Sequence, residues 1–124
     1  MPFTNAGAQL AILRIGSGIS NFIGFYAIGS GSGTALVTNA TLISESGVRI
    51  AITGSPDFST ARKVTFVGDW SANLISGLAF REFGLFDTIT GVTGSAWFRS
   101  AFPALTFDGS NELSMTTTIE AIPG

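Results

Sequence analysis

The chain has 124 residues, enough for one domain that buries about two-thirds of its unfolded surface and too few for two ordinary ones. Charged residues make up 11% of it, against about 25% in an average soluble domain, and six cations (Arg14, Arg49, Arg62, Lys63, Arg81, Arg99) leave a net charge of -2. That balance gives no footprint for nucleic acid, and the absence of His and Cys excludes disulfides, thiolate chemistry and the common zinc ligand sets.

Residues 1–18 hold the one predicted helix, or else an extended arm. Thr4 is placed to cap it, Ala6, Ala8, Leu10, Ala11 and Leu13 favour it, and Gly16 to Gly18 end it. Met1 to Gly7 lacks the basic start of an export signal, and no apolar run reaches the eighteen or so residues of a membrane helix. From Ile19 onward the pattern changes to short runs separated by Gly, Pro, Asn and Asp. Phe22 to Ile28 reads as a strand apolar on both faces, closed by a mobile loop at Gly29-Ser30-Gly31-Ser32-Gly33.

After an ambiguous stretch from Ala35 to Ser46, residues 48–53 alternate, with Val48, Ile50 and Ile52 on one face and Arg49, Ala51 and Thr53 on the other. A turn at Gly54-Ser55-Pro56-Asp57 follows. Val64, Phe66 and Trp70 then share a face, with Gly68 between the aromatics. Gly77 to Phe86 and Ser95 to Phe102 are further strands; the second is expected to end or bulge at Pro103, which lacks an N–H for a ladder. Leu113, Met115, Ile119 and Ala121 define the apolar side of the last strand, broken only by Thr117, and Asp108-Gly109-Ser110 predicts a hairpin into it. Short strands at this spacing predict an all-β fold over residues 1–124, an antiparallel β-sandwich or jelly-roll-like barrel with at most a short N-terminal helix.

No catalytic, cofactor-binding or metal-binding set emerges. Asp57, Asp69, Glu82 and Asp87 are the carboxylates that a glycosidase-type acid and base would require, but each has an ordinary turn or strand reading. The glycine-rich loop lacks the Gly-Lys-Ser/Thr ending of a phosphate loop. More informative is Arg81-Glu82 inside an apolar run. Adjacent strand residues face opposite sides, so at least one charge must enter an apolar layer or a subunit contact, with Arg49 or Arg99 available to Glu82 and Asp69 or Asp87 to Arg81. Trp97 and Arg99 fall opposite the presumed core side of their strand and are residue types enriched at interface hot spots, so Arg81, Glu82, Trp97 and Arg99 form the candidate subunit interface.

Four segments carry a resemblance: Phe25 to Gly33 (FYAIGSGSG), Phe80 to Phe86 (FREFGLF), Ala96 to Phe102 (AWFRSAF) and the strand from Leu113 to Ile122. Their order resembles that in small virion proteins and tail-fibre modules of tailed bacteriophages, with Phe102-Pro103 and Asn111-Glu112-Leu113 in matching places. Phe83 departs from the aliphatic residue usual there, and residues 35–49 are less recognisable. The resemblance implies a virion structural protein, made in the host cytoplasm, with major capsid or tail proteins as partners and homo-oligomers, trimers among them, as its form. The short chain without a fibre shaft favours a capsid decoration or cement protein over a tail-fibre subunit. A carbohydrate-binding module is the remaining alternative, with Trp97 as a stacking surface.

Overall fold

A computed structural model describes residues 4–9, 11, 23–36, 41–87 and 96–121. Within them lie β1 (Phe25–Gly29), β2 (Glu45–Ala51), β3 (Lys63–Trp70), β4 (Ala79–Phe86), β5 (Ala96–Thr106) and β6 (Leu113–Glu120). All pairings are antiparallel, and they make a four-stranded sheet in the order β2-β1-β4-β5 and a two-stranded sheet of β3 and β6. The predicted all-β sandwich is therefore the architecture found.

Alternation along the strands creates the space between the sheets. Tyr26, Ile28, Leu85 and Phe98 of the larger sheet pack with Phe66 and Trp70 of the smaller one. Gly68 is needed here because Tyr26 lies on it: a Cβ would meet a Tyr26 ring carbon at 2.6 Å. The Tyr26 ring stands edge-on to Trp70, and its hydroxyl is hydrogen-bonded to Thr117 Oγ1 at 2.7 Å and to the Phe66 carbonyl at 3.2 Å. Thr117, the lone polar residue on the apolar side of β6, thus satisfies a phenol that would otherwise be orphaned in the core.

The larger sheet is covered on its other face too. Phe25, Ala27, Leu42, Phe86 and Ala96 form a second apolar cluster there. A helical turn at residues 5–9 follows Thr4, whose Oγ1 accepts the Gly7 N–H as an N-cap. Thr4 also docks on β5, donating its N–H to the Trp97 carbonyl at 2.9 Å and its hydroxyl to the Ala96 carbonyl. Ala11 is helical too and packs against the core, and the other residues of the predicted helix, including Gly16 to Gly18, lie outside the described residues.

Three local expectations need correction, each for a physical reason. The alternation of residues 48–53 fails only at its start: Ile50 and Ile52 pack on the core and Arg49 lies against Phe86 on the other face, but β2 bulges against β1 between Tyr26 and Ile28, with Gly47 at φ +69°, and Val48 is turned to solvent. Asp108-Gly109-Ser110 is a turn, with the Asp108 carboxylate accepting the Ser110 N–H and hydroxyl, but not a hairpin: β5 pairs with β4 and β6 with β3, so the turn carries the chain from one sheet to the other. Trp97 does not face outward. Ala96 and Trp97 together oppose Phe86 in a bulge, and residues 96–99 are buried without alternation. At Pro103 the strand takes the second of its two expected courses, continuing to Thr106 through a register irregularity between Ala101 and Leu105. The single turn of helix at Ala72–Ile75, which buries Ile75, had no counterpart in the sequence reading.

Candidate functional site: a buried carboxylate clamp

On the outer face of the larger sheet, Glu82 of β4 and Arg99 of β5 are both fully buried and joined by Arg99 Nε donating to Glu82 Oε1 at 2.8 Å. The carboxylate collects three more donors, all from the backbone of the segment joining β1 to β2. Ile43 N–H reaches Oε1 at 2.9 Å, while Gly31 N–H and Ser44 N–H both reach Oε2 at 2.8 Å. The two halves of that segment are also tied to each other, Ser30 N–H donating to the Ser44 carbonyl at 2.9 Å. Arg99 Nη1 touches the Thr34 carbonyl at 3.4 Å.

This geometry explains the glycines. A Cβ on Gly29 would lie 2.4 Å from the Ser44 carbonyl oxygen and 2.6 Å from Glu82 Oε2, and one on Gly31 would lie 2.3 Å from the same oxygen. The loop expected to be mobile is glycine-rich at these two positions because its backbone is pressed onto a carboxylate. Gly31 is buried, while Ser32 and Gly33 remain exposed.

Burial opposes the charge on Glu82, but the Ser44 N–H, Arg99, the Ile43 N–H and the Gly31 N–H together outweigh it and hold the carboxyl below its ordinary range. An ionised carboxylate has about four lone-pair sites. Four donors occupy them, so Glu82 is built to hold its surroundings rather than to take a proton from a substrate. The other carboxylates considered for acid and base roles are scattered: Asp57 is exposed and caps its own turn through the Ser59 N–H, Asp69 is exposed on β3, and Asp87 is half-buried after β4.

Arg49 is a second buried cation on this face. Its guanidinium lies 3.5 Å from the centroid of the Phe86 ring, and Nε and Nη2 bind Glu45 at 2.9 and 3.0 Å. Stacking on an aromatic face plus a two-point carboxylate contact suits the planar guanidinium. Of the four candidate interface residues, only Arg81 is exposed; Glu82 and Arg99 form an intramolecular pair, and Trp97 is buried in the core between the sheets.

Comparison with known proteins returns no matching family model, no matching curated protein and no matching solved structure. What the geometry adds is a convergence: Gly29 and Gly31 from FYAIGSGSG, Glu82 from FREFGLF and Arg99 from AWFRSAF meet at one point. Sequence reading placed Arg99 among two partners for Glu82 but missed the three backbone donors. The available signal was a pair of glycines two residues apart beside a strand that carries an isolated internal acid.

Proposed function

We propose that this chain is a structural subunit of a tailed-bacteriophage particle, in its most concrete form a capsid decoration protein that packs on the shell and stabilises it. The observation that carries the reading is apolar surface left exposed on a chain with little charge. Leu36, Ile43, Val48, Phe58, Leu74 and Leu105 are each between 41% and 70% exposed. Leu36 and Ile43 belong to the segment fastened by Glu82 and Arg99, so the clamp presents them in a fixed arrangement, which lowers the ordering cost of a contact. The resemblance of the converging segments to virion proteins supports the same reading. A glycan-stacking role for Trp97 is disfavoured by its burial at 8% exposure.

The test is sedimentation of the purified chain with decoration-free capsids of the phage that encodes it. The expected result is co-sedimentation and slower loss of capsids on heating, both reduced by Leu36→Ser with Ile43→Ser. A chain that stays in the supernatant, or that is located only on tails in imaged particles, overturns the capsid assignment.

A further inference from the structure

The edges of the two sheets are not treated alike. Ala121 N–H donates to the Arg62 carbonyl at 2.9 Å, and the unbroken register from Lys63–Glu120 to Trp70–Leu113 then fixes which residues bond across β3 and β6. Val64–Ile119, Phe66–Thr117, Gly68–Met115 and Trp70–Leu113 are the bonded pairs. The backbone groups of Lys63, Thr65, Val67 and Asp69 point away from β6, and those of Ser114, Thr116, Thr118 and Glu120 point away from β3.

On the β3 side that outward row is occupied: Thr53 N–H donates to the Val67 carbonyl at 2.7 Å, Asp57 and Thr65 exchange bonds of 2.9 and 3.0 Å, and Lys63 N–H reaches Thr60 at 3.2 Å. β5 carries Pro103, two irregularities and the docked Thr4, and β2 is bulged at Gly47. These are the usual protections of an edge strand. β6 has none of them. It is eight residues long, without Lys, Pro or bulge, and among the described residues nothing pairs with its outward edge.

We propose that β6 is an assembly edge that pairs antiparallel with β6 of a second copy of this chain, about a two-fold axis at Thr117. Only an extended backbone satisfies such a row of alternating donors and acceptors. The charges of β6 are compatible with a second copy in this register. With Thr117 opposite its own equivalent, Thr116 meets Thr118 and Ser114 meets Glu120 of the other copy, and no like charges face. Moving the axis to Thr116 would set Glu120 against Glu112, which is unfavourable. On the opposite face the half-buried Met115 and Ile119 of the two copies become neighbours, so the pairing covers apolar surface that β6 leaves open. The smaller sheet then runs continuously through both copies as β3-β6-β6-β3. The inference is independent of where in a particle, if anywhere, the protein sits.

Sedimentation equilibrium of the whole chain tests it, with two double variants at the exposed positions 116 and 118. Wild type is expected to dimerise. Thr116→Lys with Thr118→Lys places lysines opposite one another and raises the dissociation constant about tenfold or more, whereas Thr116→Lys with Thr118→Glu places opposite charges together and retains the dimer. Amide exchange on wild type gives a readout that needs no variant: protection at Ser114, Thr116, Thr118 and Glu120 should grow with concentration. A single-chain mass at every concentration, equal behaviour of the two variants, or exchange at these amides that ignores concentration overturns the proposal.

Discussion

Replacing Glu82 by Gln changes one oxygen of a buried carboxylate into an amide nitrogen and leaves the shape intact. Each carboxylate oxygen serves two donors: Arg99 and Ile43 on Oε1, Gly31 and Ser44 on Oε2. Whichever way the amide turns, two donors lose their acceptor and face an N–H₂ group. Each abandoned buried donor costs about 1–3 kcal/mol, and breaking a buried ion pair from one side costs about 3–5 kcal/mol. These figures overlap, so the expected loss is about 3–5 kcal/mol out of a total stability of about 5–15 kcal/mol, equivalent to a fall in Tm of about 10–20 °C. Urea titration and thermal melting measure it. Limited proteolysis shows where it acts, since cleavage should open between residues 30 and 44. The neighbouring Arg81→Gln, at an exposed position, should stay within about 0.5 kcal/mol of wild type.

The same carboxyl sets a pH dependence of known sign. Its pKa in the folded chain lies below the ordinary value of 4.5, so the unfolded chain binds more protons as the solution is acidified. The stabilisation from Glu82 is complete above about that value and is lost as pH falls through the folded-state pKa. Wild type should therefore lose stability into the acid range more steeply than Glu82→Gln, and the gap between them should close. A Gln variant within about 1 kcal/mol of wild type at neutral pH, with residues 30–44 still protected, would refute the clamp.

Gly31→Ala should destabilise by about 1–3 kcal/mol in urea, because its Cβ would fall 2.3 Å from Glu82 Oε2 and 2.4 Å from the Ile43 Cβ, whereas Gly24→Ala, with nothing within 4 Å, should be close to neutral. Tyr26 is the sole tyrosine, so ultraviolet titration reads it alone; burial raises its pKa, so its contribution to stability is complete below the ordinary value of 10.0 and is lost as pH rises through the raised folded-state value, and phenolate absorption should appear only above 10.0, together with loss of the fold. Trp97→Ala should cost about 3–5 kcal/mol of folding stability in thermal melts, because the indole is buried within its own chain.

What was legible in the sequence follows from what periodicity encodes. β3 and β6 have an unbroken ladder and one solvent-facing side, so their alternation, the gap at Gly68 and the exception at Thr117 were all visible before the structure gave them partners. β2 and β5 are bulged, and a bulge turns residues to the other face; Val48 and Trp97 depart from their expected faces for that reason. Alternation also fails where both faces are covered, and the cover over Ala27, Glu82 and Phe86 comes from an irregular segment with no periodicity of its own. The Asp108-Gly109-Ser110 signal specified a turn correctly, but turn chemistry does not say which strand the emerging chain will join.

The clamp also bears on why an ion pair is buried here at all. Replacing a buried pair by apolar residues of similar volume is often neutral or stabilising, because both desolvation costs vanish with the charges. By that rule Glu82→Leu with Arg99→Met should rescue what Glu82→Leu alone destroys. The geometry predicts otherwise. Three of the four donors on Glu82 are backbone N–H groups of Gly31, Ile43 and Ser44, and removing Arg99 does nothing for them. At about 1–3 kcal/mol for each buried orphan, the double variant should remain at least about 3 kcal/mol less stable than wild type, recovering only the part owed to an unpaired guanidinium. Urea midpoints of the two single variants and the double one complete the cycle. A double variant as stable as wild type would mean that the segment from Ser30 to Ser44 finds other acceptors, and that the carboxylate serves Arg99 rather than the backbone laid over it.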